Sequence, residues 1–377
     1  MQKLERDFMK VTGREMAIDN ATSQEIFRQP DIWRDWTGDL VAISDEIRRW
    51  IKNRRPDVIW LCGAGTSAFI GDSLAVGLDG KIDSIPLRAI PSTDLVARPF
   101  DYFKRGLHPL VVSFGRSGNS SESVGTLELI DRLLPTADRL NITCNNTSIL
   151  ANRAPVGPGE GRVVILPEAC HDVGFAMTSS YTTMMLTALA IFDDVPSTGI
   201  IANLETLANS AADFLNTDFS SGVPHRVVFL GSGPFKGTSR ESALKVLELT
   251  GGKVVTAWDS TLGFRHGPKA IVDDDTAVFV YLSNECPTRK YDQDMVAEIR
   301  QQFPGVVVKT VGAARADSDQ PDIQLDGCDS DIWNAALYVV LAQRLAVAWS
   351  QALGLNVDDP FHGKNLTRVV SHVRLHT

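Results

Sequence analysis

The sequence is short of cysteine. Its 377 residues hold only Cys62, Cys144, Cys170, Cys286 and Cys328, with no C-x-x-C pair and no histidine at zinc-ligand spacing. An odd, dispersed set of this kind excludes a disulfide framework, disfavours a structural zinc site and predicts reduced thiols in a cytoplasm. Positive charge is also scarce: 37 Lys and Arg stand against 46 Asp and Glu, for a net charge of −9. Non-specific nucleic-acid binding needs clustered cations that displace counterions, so no nucleic-acid partner is expected. Long apolar runs are missing as well. The stretch near Met184 to Phe192 is the longest clean one and is too short to cross a bilayer. Met1 to Phe8 carries both signs of charge and no apolar segment that would direct secretion. The expectation is a cytoplasmic protein without a membrane partner.

What is present is the balance of a globular protein, 44% hydrophobic and 22% charged. The length exceeds one ordinary core, which points to two domains. Residues 1–52 read as a helical arm, with Asn20 to Ser23 as cap candidates and Ile43, Ile47, Trp50 and Ile51 at helical spacing. Beyond it, short β-branched runs alternate with helical stretches, the pattern of a parallel sheet covered on both faces. Strands are predicted at 57–61, 109–114, 139–144 and 162–166, and again at 226–230, 253–257, 276–282 and 306–311. Gly63-Ala64-Gly65 after the first strand recurs as Gly231-Ser232-Gly233, 168 positions on. The same shift sets the loop after Val111 to Phe114 opposite Ser283 to Pro287. The predicted fold is therefore α/β, with two doubly wound parallel-sheet domains related by duplication, 53–215 and 216–377. Only the first keeps a Ser/Gly-rich loop, so one anion site per chain is expected. Trp258, Trp333 and Trp349 read as packing residues.

That loop, Gly115-Arg-Ser-Gly-Asn-Ser-Ser-Glu122, lies between a buried-type strand and a helix start. Glycines let the backbone curl close to a ligand, N–H groups of the helix start point at it, and hydroxyls add donors for phosphate oxygens. Arg116 would add a charge-assisted contact. Ordinary N-capping explains the Ser and Asn residues equally well. The neighbouring loop Gly63 to Ser67 favours the anion site, because adjacent strand ends of an open sheet share one crevice. Gly63-x-Gly65-x-x-Ala68 also meets the loose dinucleotide fingerprint, which leaves nicotinamide binding open, although no ribose-binding acid is clearly placed. Asn119 breaks the nucleophile-elbow pattern, and no Gly-Lys-Ser/Thr stands in either loop.

A second constellation carries acid–base chemistry. Glu241, Lys245 and Glu248 fall at i, i+4 and i+7 of a helix that is otherwise largely apolar and ends at Gly251-Gly252. Such a stripe suits a polar crevice; the plainer alternative is a solvated salt-bridge stripe worth a few tenths of a kcal/mol per pair, about 0.3. His266 sits in the loop Phe264-Arg-His-Gly-Pro-Lys269, and His171-Asp172 precedes the hydroxyl-rich run Gly174 to Thr183, read as a helix start lining the crevice. An aldose–ketose shift needs a group to open the sugar ring and a base to move a proton between adjacent carbons, and His with Glu supplies both.

Taken in order, these segments resemble the sugar-isomerase (SIS) family over nearly the whole chain after residue 50. The wording Gly63-Ala-Gly-Thr-Ser-Ala-Phe-Ile-Gly-Asp72, Ser113-Phe-Gly-Arg-Ser-Gly-Asn119, His171-Asp-Val-Gly-Phe-Ala-Met-Thr-Ser179 and Gly263-Phe-Arg-His-Gly-Pro-Lys269 is most similar to the galactosamine-6-phosphate deaminase/isomerase group, also labelled tagatose-6-phosphate ketose/aldose isomerase. The resemblance implies a phosphate cradle of Thr66, Ser67, Arg116, Ser117, Asn119 and Ser120, with Thr178 and Glu241 among the substrate-binding residues. By comparison with the isomerase half of glucosamine-6-phosphate synthase it implies Glu248 as the proton-shuttling base. Lys245 lies beside it, and His266 assists ring opening from the neighbouring subunit of a homodimer. No cofactor and no metal are implied. Arg368 stands where the synthase has a lysine, which leaves Lys364 as the nearby amine, and Gly115 replaces its first loop serine. No glutaminase half delivers ammonia, so deamination of galactosamine 6-phosphate to tagatose 6-phosphate is the expected direction. Isomerisation of a neutral phosphosugar and a non-catalytic sugar-phosphate sensor are the alternatives.

Overall fold

The computed structural model describes residues 20–217, 222–316, 320–363, 366–370, 373, 374 and 376. Consecutive β-branched and apolar residues form strands buried on both faces, as parallel sheets require. The first half holds β1 (Val58–Cys62), β2 (Leu87–Ala89), β3 (Pro109–Gly115), β4 (Asp138–Thr143) and β5 (Gly161–Ile165), and the second holds β6 (Arg226–Gly231), β7 (Val255–Asp259), β8 (Thr276–Tyr281), β9 (Val307–Gly312) and β10 (Ile323–Gln324). The first sheet runs β2-β1-β3-β4-β5 and the second β10-β9-β8-β6-β7, so each has its five strands in the spatial order 2-1-3-4-5. Every pairing is parallel. Two copies of one winding are what the repeated glycine loops lead one to expect. The two short strands, β2 and β10, escaped the sequence reading because three and two residues cannot show a period.

The helices are α1 (Ala21–Arg54), α2 (Thr66–Leu78), α3 (Ser92–Ala97), α4 (Pro99–Tyr102), α5 (Ser121–Leu133), α6 (Ile149–Asn152), α7 (Ser179–Phe192), α8 (Ser197–Asn216), α9 (Phe235–Leu249), α10 (Cys286–Gln302) and α11 (Asp331–Ala352). Cys62 pairs with Ser113 across β1 and β3. The turns leaving these strands therefore emerge side by side, and β2 lies on the other side of β1, so the crevice opens at the switch point of the sheet.

The structure corrects the picture of residues 20–52 as an arm. In α1, Ile26, Trp33, Leu40, Ile47 and Ile51 belong to the main core, alongside residues of α7, α8 and α11. Asn20 caps the helix, its side chain accepting from the Ser23 N–H at 2.8 Å. Pro30 lies inside it and brings no N–H for the Ile26 carbonyl. Gln29 makes good the loss: its Nε2 donates to Ile26 O at 3.0 Å and to Gln343 Oε1 at 2.8 Å, while its Oε1 accepts from Thr182 Oγ1 at 2.7 Å. One buried amide thus joins α1, α7 and α11. Helix α11 is long and apolar enough to cross a membrane by length and composition, which the sequence reading overlooked, but its apolar window is wholly buried in the fold. Trp333 and Trp349 are buried as expected. Trp258 is not, because β7 is an edge strand; the Arg240 guanidinium lies 5.1 Å from its ring.

The loop after β8 stands where the first half has its Ser/Gly-rich loop. Here the protein supplies its own anions. Asp292 accepts from Ser232 Oγ at 2.6 Å and Ser283 N at 3.1 Å, and Asp331 accepts from Asn284 N at 2.7 Å.

Gln29→Ala strands three buried polar partners at once. It is expected to lower the unfolding free energy by about 2–4 kcal/mol, read as a fall in the urea midpoint at unchanged slope.

Candidate active site

A cleft of about 340 Å³ opens at the ends of β1 and β3. Its walls are the turn at Thr66 and Ser67, the loop from Gly115 to Ser123, the side chains of Phe175 and Met177, the Leu244–Glu248 face of α9, and the tail residues Thr367 to Val370. A larger groove of about 600 Å³ runs between α8 and β10, but Asp213, Asp322 and Asp326 line it. Three carboxylates repel an anionic ester, so charge rather than size selects the smaller cleft. Among the described residues, no group of three or more His, Cys, Asp or Glu side chains is arranged to hold a metal.

The three charged residues of α9 meet as their spacing predicts. Lys245 Nζ lies 2.7 Å from Glu248 Oε2 and 3.2 Å from Glu241 Oε1, and donates to Thr66 Oγ1 at 3.0 Å. Lys245 and Glu241 are fully buried, whereas Glu248 keeps 23% of its side chain exposed, toward the cleft. This is not a solvated stripe. Burial opposes the charge on Lys245, yet the two carboxylates outweigh it and raise its affinity for the proton. Burial pushes the Glu241 carboxyl up to about 7 against the pull of Lys245. Its Oε2 is buried without a hydrogen-bond partner.

The phosphate loop is shaped as predicted. Gly118 has φ +63°, and a Cβ there would lie 2.3 Å from Ser148 Oγ, so only glycine fits the curl. Ser120 caps α5 by accepting from Ser123 N at 3.4 Å, and it donates to Ser123 Oγ at 2.7 Å. Ser117, Ser120, Thr66 and Ser67 all line the cleft. Asn119 does not line it: its Oδ1 accepts from Ile149 N at 2.8 Å and ties the loop to α6. Thr178, expected in contact with substrate, is buried behind the wall, where its N–H and hydroxyl donate to Asp172 at 2.8 and 3.0 Å. The N–H and hydroxyl groups of Ser179 and Ser180 converge on the same carboxylate, which caps α7. Helix α7 does start where the sequence indicated, but Phe175 and Met177 of the preceding turn are what face the cleft.

Arg116 is also turned away from the expected task. Nη1 donates to the carbonyls of Gly174, Phe175 and Ala176 at 3.3, 3.2 and 3.3 Å, and Nη2 to that of Arg368 at 3.2 Å. Burial, and then the neighbouring charge of Arg368, pull its affinity for the proton down. Both terminal nitrogens serve the framework.

These features agree with known relatives. No protein-family model matches the chain. The D-galactosamine-6-phosphate deaminase AgaS of Escherichia coli is 39% identical over 369 residues, covering 94% of this chain and 95% of its own. The protein of that name from Shewanella sp. (strain ANA-3) is 36% identical over 363 residues, with 94% and 91% covered. This chain belongs to the AgaS family. The crystal structure of tagatose-6-phosphate ketose/aldose isomerase from Escherichia coli superposes with a TM-score of 0.85 at 36% identity, covering 96% of this chain and 98% of its own. Nicotinamide binding, the rival suggested by the glycine pattern at Gly63, finds no support among these relatives.

Two further features of this AgaS-family chain bear on the cleft. Val370 O accepts from Ser121 N at 3.2 Å, and Val373 N donates to Ser121 Oγ at 3.2 Å, so the tail lies on the first donor of α5. Arg368 is exposed at the cleft mouth, while Lys364 lies outside the described residues. His266 is exposed and outside the lining of its own chain's cleft. The sequence reading missed Leu244, Phe175 and Met177 as lining; only the first carried a signal, one residue before Lys245 on the same helix.

Raising Glu241 from 4.5 to about 7 means that the native state binds more protons than the unfolded chain across that window, so this residue makes stability fall as pH rises through it. Glu241→Gln is expected to flatten that fall by about 3 kcal/mol between pH 4.5 and 8, measured by urea unfolding.

Proposed function

We propose that the chain deaminates galactosamine 6-phosphate to tagatose 6-phosphate, consuming one water and releasing ammonia. The observation that carries this reading is the shared cleft. A hydroxyl- and N–H-lined loop at the start of α5 and a carboxylate held by a buried ammonium open into one space of about 340 Å³. Ser117, Ser120, Thr66 and Ser67 grip the phosphate, with the α5 N-terminus adding its dipole. Glu248 takes the proton from carbon 2 of the open-chain aldose and returns it at carbon 1, which leaves a ketose imine. Water then adds to carbon 2 and ammonia departs. Lys245 holds the Glu248 carboxylate in place and neutralises it between transfers. The names of the relatives support the substrate.

Ring opening falls to His266 of a second copy. Exposed Val255, Trp258 and Leu262 lie near it in sequence and give that face the apolar character of an interface. A homodimer in the cytoplasm follows; five cysteines without a disulfide suit a reducing compartment.

Glu248→Gln is expected to lower turnover by at least about 100-fold with KM little changed, because it removes only the proton shuttle. Ammonia release assayed with galactosamine 6-phosphate and glucosamine 6-phosphate, beside interconversion of tagatose 6-phosphate without ammonia, decides between the deaminase and a neutral isomerase. Normal turnover in the Gln variant would remove Glu248 from its role. Mixing inactive Glu248→Gln and His266→Asn proteins is expected to regain activity, because a hybrid dimer pairs one intact Glu248 with one intact His266. No recovery would place the ring-opening group within a single chain.

A further inference from the structure

Among the described residues, one buried carboxylate outside the cleft is connected to it through main-chain groups. Glu25 belongs to the first turns of α1 and is 2% exposed. Its Oε1 accepts from the N–H groups of Val173 and Gly174, the latter at 3.1 Å, while Oε2 is buried with no hydrogen-bond partner. The peptide groups that follow carry the carbonyls of Gly174, Phe175 and Ala176, which receive the Arg116 guanidinium. The segment is therefore gripped from both sides, by a carboxylate through its N–H groups and by a cation through its oxygens. Close approach depends on Gly174, where a Cβ would lie 2.3 Å from Thr22 Oγ1 and 3.1 Å from Glu25 Oε2.

A third tie comes from the chain after α11. Asp358 accepts from Ala21 N and Thr22 N at 2.8 Å each, and its own carbonyl accepts from Phe175 N at 3.1 Å. Phe175 also packs on Phe361, ring centres 5.1 Å apart. What this scaffold holds is functional surface, because Phe175, Met177 and Arg116 line the cleft.

We propose that Glu25 is a positioning residue of the cleft: it sets the path of residues 173–177, and through them the aromatic wall and the Arg116 clamp. The placement costs stability. Burial, then the charges of Asp172 and Asp358, which face it from the segments before α7 and after α11, push its carboxyl up to about 7. A side chain serving packing alone has no need of a charge beside two others of the same sign. The proposal rests on the cleft being the active site.

Three measurements on the full chain test it, comparing wild type, Glu25→Ala and Glu25→Gln. Hydrogen exchange of the 173–177 amides is expected to quicken in the Ala variant and to stay near wild type in the Gln variant, whose amide oxygen accepts the same two donors. The kcat/KM for galactosamine 6-phosphate is expected to fall roughly ten- to a hundredfold in Glu25→Ala, chiefly through KM, and to recover to within about threefold in Glu25→Gln. Affinity for inorganic phosphate, read by calorimetry, is expected to weaken in parallel with KM. Should the Ala variant not fold, Glu25→Met fills the space without an acceptor and carries the same expectations. Unchanged KM with faster exchange would make Glu25 merely structural. A Gln variant as impaired as Ala, or exchange equal to wild type in all three, would likewise overturn the proposal. If wild type releases no ammonia, the functional reading fails, while exchange and phosphate affinity still decide the placement.

Discussion

The ammonium of Lys245 is the interaction on which the site depends. A cation with no exposed surface is tolerable only where its charge and its protons are answered, and here two carboxylates and one hydroxyl answer them. Thr66 opens α2 in the first half, and the other three residues lie on α9 in the second. The cluster is thus both a joint between the halves and a piece of chemistry. Its outer member, Glu248, keeps enough contact with the cleft to exchange a proton, while the inner ones are shut away. Fully buried, the triad would be an expensive way to join two helices; fully exposed, it would be a weak salt bridge.

Much of the architecture was legible in the residues. Alternating β-branched and helical stretches marked the strands of both sheets. The paired glycine turns at Gly63 and Gly231 marked the duplication, because a tight turn after a buried strand leaves a compositional trace wherever it occurs. The acidic and basic positions on α9 were legible for the same reason: helical period fixes which side chains share a face. The direction in which a polar side chain spends its hydrogen bonds leaves no such trace. Thr178 sits in a hydroxyl-rich run that reads as ligand-facing, but Asp172 claims the whole run as a helix cap. Arg116 stands in the middle of an anion loop and still finds carbonyls from Gly174 to Ala176 closer than the open cleft. Periodicity was equally silent about α1, whose apolar face is that of any amphipathic helix until the partner helices α7, α8 and α11 are known.

Capping supplies a common thread. Asp172, Asp358 and Ser120 each satisfy the free N–H groups that open a helix, and each also fixes a neighbouring segment. Asp358 ends a long chain excursion by returning to the first turn of α1, which closes the scaffold behind the cleft. Rigidity at the site therefore comes from helix ends as much as from the packed core.

The self-filled loop after β8 has a consequence for how the chain can be divided. Asp292 and Asp331 occupy from within the place that a ligand would need, so the second copy of the winding is a sealed vessel. It contributes instead through the flank of α9, reaching sideways into its sister's mouth. A scission near residue 220 would leave one fragment able to hold an ester but idle, and another bearing the proton carrier with nothing to act upon. Duplication here has not doubled the workshop; it has split one set of tools between two benches.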